Sequence, residues 1–243
     1  MASIVVVASL GLGVLTGCQV GDSDKAAIIG DTSITEDRVT EIYENATAAA
    51  VTASPSPEAS PEASPEPSPT PAAERRVTRQ KIVNLLVSLE LGRRIKQEKK
   101  LPEAQQPLEP EVVAQELGLA AQSEYVQLWA EWYNLQTVIA ENTPRVGLTD
   151  AGLTLVYEAL VKVQAVPAGW SVAEMKQQFA GATFAEAAIL VSTTLGAEAE
   201  KLDVTINPKY QPISAPMAVS AQQSVAFYEI PYLGSDMVTD VSL

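Results

Sequence analysis

Ala26-Ala27-Ile28-Ile29-Gly30-Asp31-Thr32-Ser33-Ile34-Thr35-Glu36-Asp37-Arg38-Val39-Thr40-Glu41-Ile42 is the stretch around which the rest of this 243-residue chain is organised. Ala27 to Ile29 is a brief apolar run with β-branched residues, which favours a strand. Gly30-Asp31 is turn chemistry, because glycine reaches φ > 0 without steric cost and aspartate bonds to its own backbone. Thr35 then stands where a helix N-cap belongs, and Glu36 and Asp37 place negative charge at the helix's positive end. Val39, Ile42 and Tyr43 follow at helical spacing, so the stretch predicts strand, tight turn and capped helix.

Upstream, residues 1–17 carry no charged side chain, and Ile4 to Leu15 is an apolar run broken only by Ser9 and glycines. A bilayer span needs ~20 apolar residues, so this run is short for a span and right for a signal-peptide core. It ends in Leu15-Thr16-Gly17-Cys18, which resembles the bacterial lipoprotein lipobox. That resemblance implies cleavage between Gly17 and Cys18, lipidation of Cys18 and a place on the extracytoplasmic face of the cell membrane. The residues depart from the pattern in one respect, since no lysine or arginine precedes the apolar run. Residues 18–25 form a short tether in this reading.

Composition narrows the chemistry. The chain has 16 basic and 30 acidic residues, a net charge of -14, no histidine and a single cysteine. The acidity argues against a nucleic-acid partner, whose footprint is basic. Without histidine there is no Ser–His or Cys–His nucleophile pair and no histidine-ligated zinc. One cysteine forms neither an intramolecular disulfide nor a thiolate metal cluster. No cofactor is expected.

Downstream of the first helix, Ser54 to Pro71 reads Ser-Pro-Ser-Pro-Glu-Ala-Ser-Pro-Glu-Ala-Ser-Pro-Glu-Pro-Ser-Pro-Thr-Pro. Proline removes amide donors and holds its predecessor extended, so helix and sheet are both closed to it. The sequence predicts a disordered, polyproline-II-leaning insert over 53–73, with a docking ligand or glycosylated segment as the alternative. Glu74 to Lys100 is the longest helical segment and holds nine of the sixteen basic residues. These form either a patch for anionic lipid or wall polymer, or a solvated face answering the acidic remainder. Shorter helices follow over 111–117, 123–141 and 149–164, and capping-box patterns at Ser171-Val172-Ala173-Glu174 and Thr183-Phe184-Ala185-Glu186 open two more. Trp129, Trp132 and Tyr133 form an aromatic stripe on the 123–141 helix, either core or the lining of a groove for apolar peptide segments.

Val204-Thr205-Ile206-Asn207-Pro208-Lys209-Tyr210 reads as one short strand ended by Asn-Pro. With the opening phrase, apolar-apolar-apolar-Gly-Asp-x-x-Ile-Thr, it resembles the two ends of SurA/PrsA-type N-terminal chaperone domains, and in particular those of SurA-like lipoproteins of actinobacteria. Gln211 departs from the family's usual glycine. The resemblance covers 26–210 and implies a mainly α fold: a SurA-N-like helical domain in which Ala27–Ile29 pairs with Val204–Ile206 as one small two-stranded sheet. It makes the proline-rich segment an insertion within that domain, and it leaves 211–243 as a loosely ordered tail. It further implies binding of unfolded or secreted polypeptides in apolar crevices, without ATP or catalysis. The parvulin isomerase domain of many relatives has no counterpart, so isomerase activity is not expected. A cell-envelope scaffold with one dedicated partner is the alternative. An enzyme using paired carboxylates is a third reading, set aside because the acids sit at caps and on helix faces.

Overall fold

A computed structural model describes residues 24–51, 77–221, 224–232 and 238–240. Residues 1–17, Gly17 and Cys18 of the lipobox, all but the end of the tether, and the 53–73 insert lie outside the described residues.

The opening stretch forms strand β1 (Lys25–Ile29), a turn, strand β2 (Thr32–Thr35) and helix α1 (Glu36–Val51). Thr35 Oγ1 accepts from the Arg38 amide at 3.2 Å, as its N-cap position predicts. Gly30 sits at φ +57°, in the left-handed region that costs L-residues about 1–2 kcal/mol. The turn is held from outside by Arg94, which donates to Asp31 Oδ1 (2.7 Å), Thr32 Oγ1 (2.8 Å) and Glu90 Oε1 (2.8 Å). The Arg94 guanidinium in turn keeps the Asp31 carboxyl below its ordinary range.

Strand β1 pairs antiparallel on one side with β2 and on the other with β4 (Thr205–Ile206), with Ala27 opposite Ile206 and Ile28 opposite Thr205. The pairing of the two chain regions matches the expectation from the end motifs. The sheet has three strands and not two, because the residues after Gly30-Asp31 turn back along β1 before α1 begins. Lys25, assigned to the tether from sequence, already belongs to β1. The Asn-Pro-Lys-Tyr motif closes the seam. The Asn207 amide donates to the Ala26 carbonyl at 3.0 Å and its side chain to the Lys25 carbonyl at 3.1 Å. A short 3-10 turn, Pro208–Tyr210, then carries the Tyr210 hydroxyl to Glu36 Oε2 at 2.8 Å, where the Lys209 ammonium also pairs at 2.8 Å.

Helix α2 (Arg79–Lys99) is the central element. Thr78 caps it, and it buries ten residues spread around its circumference, from Ile82 to Ile95. Such all-round burial marks a helix enclosed by others. Around it lie α1, α4 (Glu124–Asn142) and α7 (Thr183–Lys201). Helices α3 (Pro110–Leu117), α5 (Asp150–Lys162) and α6 (Val172–Gln178) complete the seven among the described residues. Gly92 of α2 faces Trp132 of α4, where a Cβ would lie 3.1 Å from the ring, so the glycine allows the close crossing. Arg93, Arg94 and Lys96 of the basic segment pair with Glu131, Asp31 with Glu90, and Glu103 respectively, so these three of the nine basic residues answer acids of the same chain. Among the described residues the helix begins at Arg79, with Thr78 as its cap; Glu74 lies outside the described residues.

The caps divide in two. Ser171 forms the full capping box with Glu174, and Thr149 Oγ1 accepts from Gly152 N at 3.0 Å. Thr183 does not cap α7: it is already helical, Ala182 occupies the cap position, and no side chain closes that end. The α4 end is capped from another helix, as Asn45 Oδ1 of α1 accepts from the Glu124 amide at 2.9 Å.

The largest correction concerns the region after Tyr210. Strands β5 (Ser214–Ala221) and β6 (Ser224–Pro231) form an antiparallel hairpin whose Ala215, Met217, Tyr228 and Ile230 enter the main core. A short strand β7 (Val238–Asp240) pairs with β3 (Val146–Leu148). A tail read as loosely ordered is therefore an integral layer. The alternation is present in the sequence, but alanine, serine and two prolines dilute its hydrophobic signal.

The hairpin is held by polar side chains buried on three helices. From α2, Asn84 Nδ2 donates to Glu229 Oε1 and Ser88 Oγ bonds to the Tyr232 hydroxyl, each at 2.9 Å. From α4 the Trp132 indole N–H donates to the Pro216 carbonyl, and from α7 Ser192 Oγ donates to the Pro231 carbonyl, each at 2.5 Å. Buried polar groups need partners, and these four find them in the hairpin.

Candidate functional site

The three aromatic residues singled out on α4 do not come together. Trp132 is fully buried, bonded to the hairpin through its N–H and packed against Gly92, so it belongs to the core and lines no groove. Trp129 and Tyr133 are one helical turn apart, and they face two different clefts separated by Tyr228.

Trp129 forms the inner wall of a cleft of about 540 Å³ between the end of α3, the start of α4, the end of α5 and the outer face of the hairpin. Phe227 meets it edge to face, with centroids 4.8 Å apart at 70°. Leu117, Ala159, Val163 and Pro216 supply further apolar wall, and Val163 is an exposed large apolar residue at 40%. Lys81, Lys162, Glu116 and Glu229 put both charge signs at the rim. Trp129 Nε1 is buried beside the Tyr125 phenol, with which it interacts. The nearby Tyr125 phenol is pushed up by burial, with the indole opposing that rise and the Glu229 carboxylate adding to it.

Tyr133 is half-buried on the other side of Tyr228, in a cleft of about 500 Å³ between the C-terminal half of α4, the first turns of α7 and the hairpin. Leu190, Val191, Met217 and Tyr228 line its apolar side. Two buried polar atoms there have no partner, Gln136 Oε1 and Thr143 Oγ1. A third cleft, about 630 Å³ between the end of α2 and α4, has four of its five charged lining groups already paired, in Arg93–Glu131 and Lys96–Glu103.

Among the described residues, no three His, Cys, Asp or Glu side chains converge where a metal ion could sit. The arrangement offers apolar surface with scattered, unmet hydrogen-bonding atoms, which suits reversible binding. Sequence reasoning missed Phe227, Tyr228, Gln136 and Thr143. Only the Val225–Ile230 run signalled the first two, and nothing in the sequence marks a buried polar atom as unpartnered.

No family model, no curated protein and no solved structure matches this chain.

Proposed function

We propose that the protein is a lipid-anchored, extracytoplasmic binder that holds unfolded or secreted polypeptide segments without ATP or covalent chemistry. The observation that carries this reading is the aromatic-walled cleft, in which Phe227 meets Trp129 edge to face beside the exposed Val163. An apolar side chain of a bound segment covers Phe227 and Val163. Full burial of one such side chain contributes about 1.5–3 kcal/mol, so a single cleft binds weakly and releases readily. Rim charges of both signs tolerate varied sequences. The Leu15–Cys18 motif supports the anchor, since a diacylglyceryl group provides the two chains that stable attachment requires. No single helix among the described residues is long and apolar enough to cross a membrane. The SurA/PrsA-type resemblance of the two end motifs points the same way, and the β1–β4 pairing is consistent with it.

The purified protein is expected to slow aggregation of several unrelated denatured proteins, followed by light scattering. Val163→Glu, at the exposed rim, is expected to weaken that protection several-fold while leaving the circular dichroism spectrum unchanged. Protection of one client alone would favour the dedicated scaffold, and protection of none would end the reading. The anchor has its own check: mass spectrometry of the mature N-terminal peptide is expected to find Cys18 acylated, and an unmodified Cys18 would refute it.

A further inference from the structure

We infer that the cleft beside Tyr133 is a main-chain-recognising subsite for an extended, uncharged polypeptide segment, whose backbone N–H donates to Gln136 Oε1. This rests on the polypeptide-binding reading and adds to it the chemical group that is recognised. Gln136 is only 8% exposed, yet its side-chain oxygen has no partner, and Thr143 Oγ1 in the same cleft has none either. Leaving a buried polar atom unpaired costs about as much as a hydrogen bond contributes, so two in one cleft need a reason. The terminal torsion of glutamine is soft, so a small rotation brings the amide to an arriving donor.

The opposite wall supplies the complementary half. Helix α7 is 19 residues long and begins beneath Ala182, whose side chain cannot cap it. Its first-turn amides are donors without a side-chain acceptor, and Thr183 and Phe184 of that turn line the cleft. One wall therefore accepts and the other donates, across a floor of Leu190, Met217 and Tyr228. A peptide unit presents one N–H and one C=O, with side chains to cover the floor. Arg145 stands with Glu141 and Glu186 among the lining residues, so the cleft carries both signs with one negative charge in excess, which disfavours an acidic segment.

The test is a binding cycle between the protein and the peptide backbone. A fluorescein-labelled decapeptide of leucine, serine and glycine, and a set of copies each N-methylated at one backbone nitrogen, are titrated against the full chain and its Gln136→Leu and Thr143→Val variants. At least one methylation is expected to raise the Kd for the unaltered protein about tenfold, the loss of one hydrogen bond. The same methylated peptide is expected to bind Gln136→Leu no more weakly than the parent peptide does. An equal penalty for every methylation in the unaltered protein and both variants would overturn the inference. If the decapeptide is bound, and is lost on Val163→Glu, yet ignores Gln136→Leu and Thr143→Val, this inference alone falls. If no form of the protein binds it, the polypeptide-binding reading falls as well.

Discussion

Trp132→Ala is expected to remove about 3–5 kcal/mol of stability, the range for emptying a buried aromatic site. Total stabilities of about 5–15 kcal/mol make that a large share. The expectation has two independent sources. The ring is fully buried against Gly92, where the backbone of α2 comes too close for neighbouring side chains to refill the hole. Its N–H is also the only α4 side-chain bond to the hairpin among those described, so the Pro216 carbonyl loses its partner. Trp132→Phe separates the two effects, keeping most of the volume and losing the bond for about 1–3 kcal/mol. Urea unfolding followed by far-UV circular dichroism measures both. A loss under about 1 kcal/mol for the alanine variant would show that α2, α4 and the hairpin do not meet as described.

Raising the pH is expected to unfold the protein in one cooperative step, with buried tyrosines ionising only as it unfolds. Burial pushes the phenols of Tyr125, Tyr228 and Tyr232 well above their ordinary value of 10.0, with the Ser88 hydrogen bond opposing the rise only at Tyr232. A folded pKa raised above the unfolded one means that the neutral form is favoured by folding. The stabilisation is therefore complete below about pH 10 and is lost as pH climbs from there toward the folded values. Absorbance at 295 nm and far-UV circular dichroism recorded together are expected to show Tyr125, Tyr228 and Tyr232 ionising with the loss of helix, and Tyr210, raised by burial and by its bond to Glu36, ionising late among the other four of the seven tyrosines. Seven phenols titrating near pH 10 with the helix signal intact would contradict their burial. Two of the three lie on or just after the hairpin, so the experiment also reports on how tightly that layer is held.

The opening stretch and the Asn207-Pro208-Lys209-Tyr210 motif were legible because local chemistry and tertiary role coincide there. Gly30 is required by its own φ, Thr35 by its own cap, and Asn207 by bonds to Lys25 and Ala26. Helix α7 was legible as a helix and misread at its start, because Thr183-Phe184-Ala185-Glu186 meets the capping pattern while tertiary packing begins the helix one residue earlier. The hairpin was not legible. Its strands Ser-Ala-Pro-Met-Ala-Val-Ser-Ala and Ser-Val-Ala-Phe-Tyr-Glu-Ile-Pro are only weakly apolar, and what specifies them lies elsewhere in the chain, on Asn84, Ser88, Trp132 and Ser192. The binding clefts share that difficulty. Trp129 and Tyr133 read as one stripe on α4, and only the arrival of Tyr228 from the hairpin divides them into two sites.

The β1–β4 seam also dictates an order of events in time. Asn207 bonds to Lys25 across 182 positions of chain, and the hairpin that satisfies Asn84 and Ser88 comes later still. A polypeptide emerging amino end first exposes its central helix, with those polar groups unanswered, until nearly everything described here has been made. Contacts so distant along the chain are slow to form, and the intermediate shows apolar surface meanwhile. Until then the nascent chain is itself an unfinished polypeptide, with its central polar groups still waiting for the hairpin.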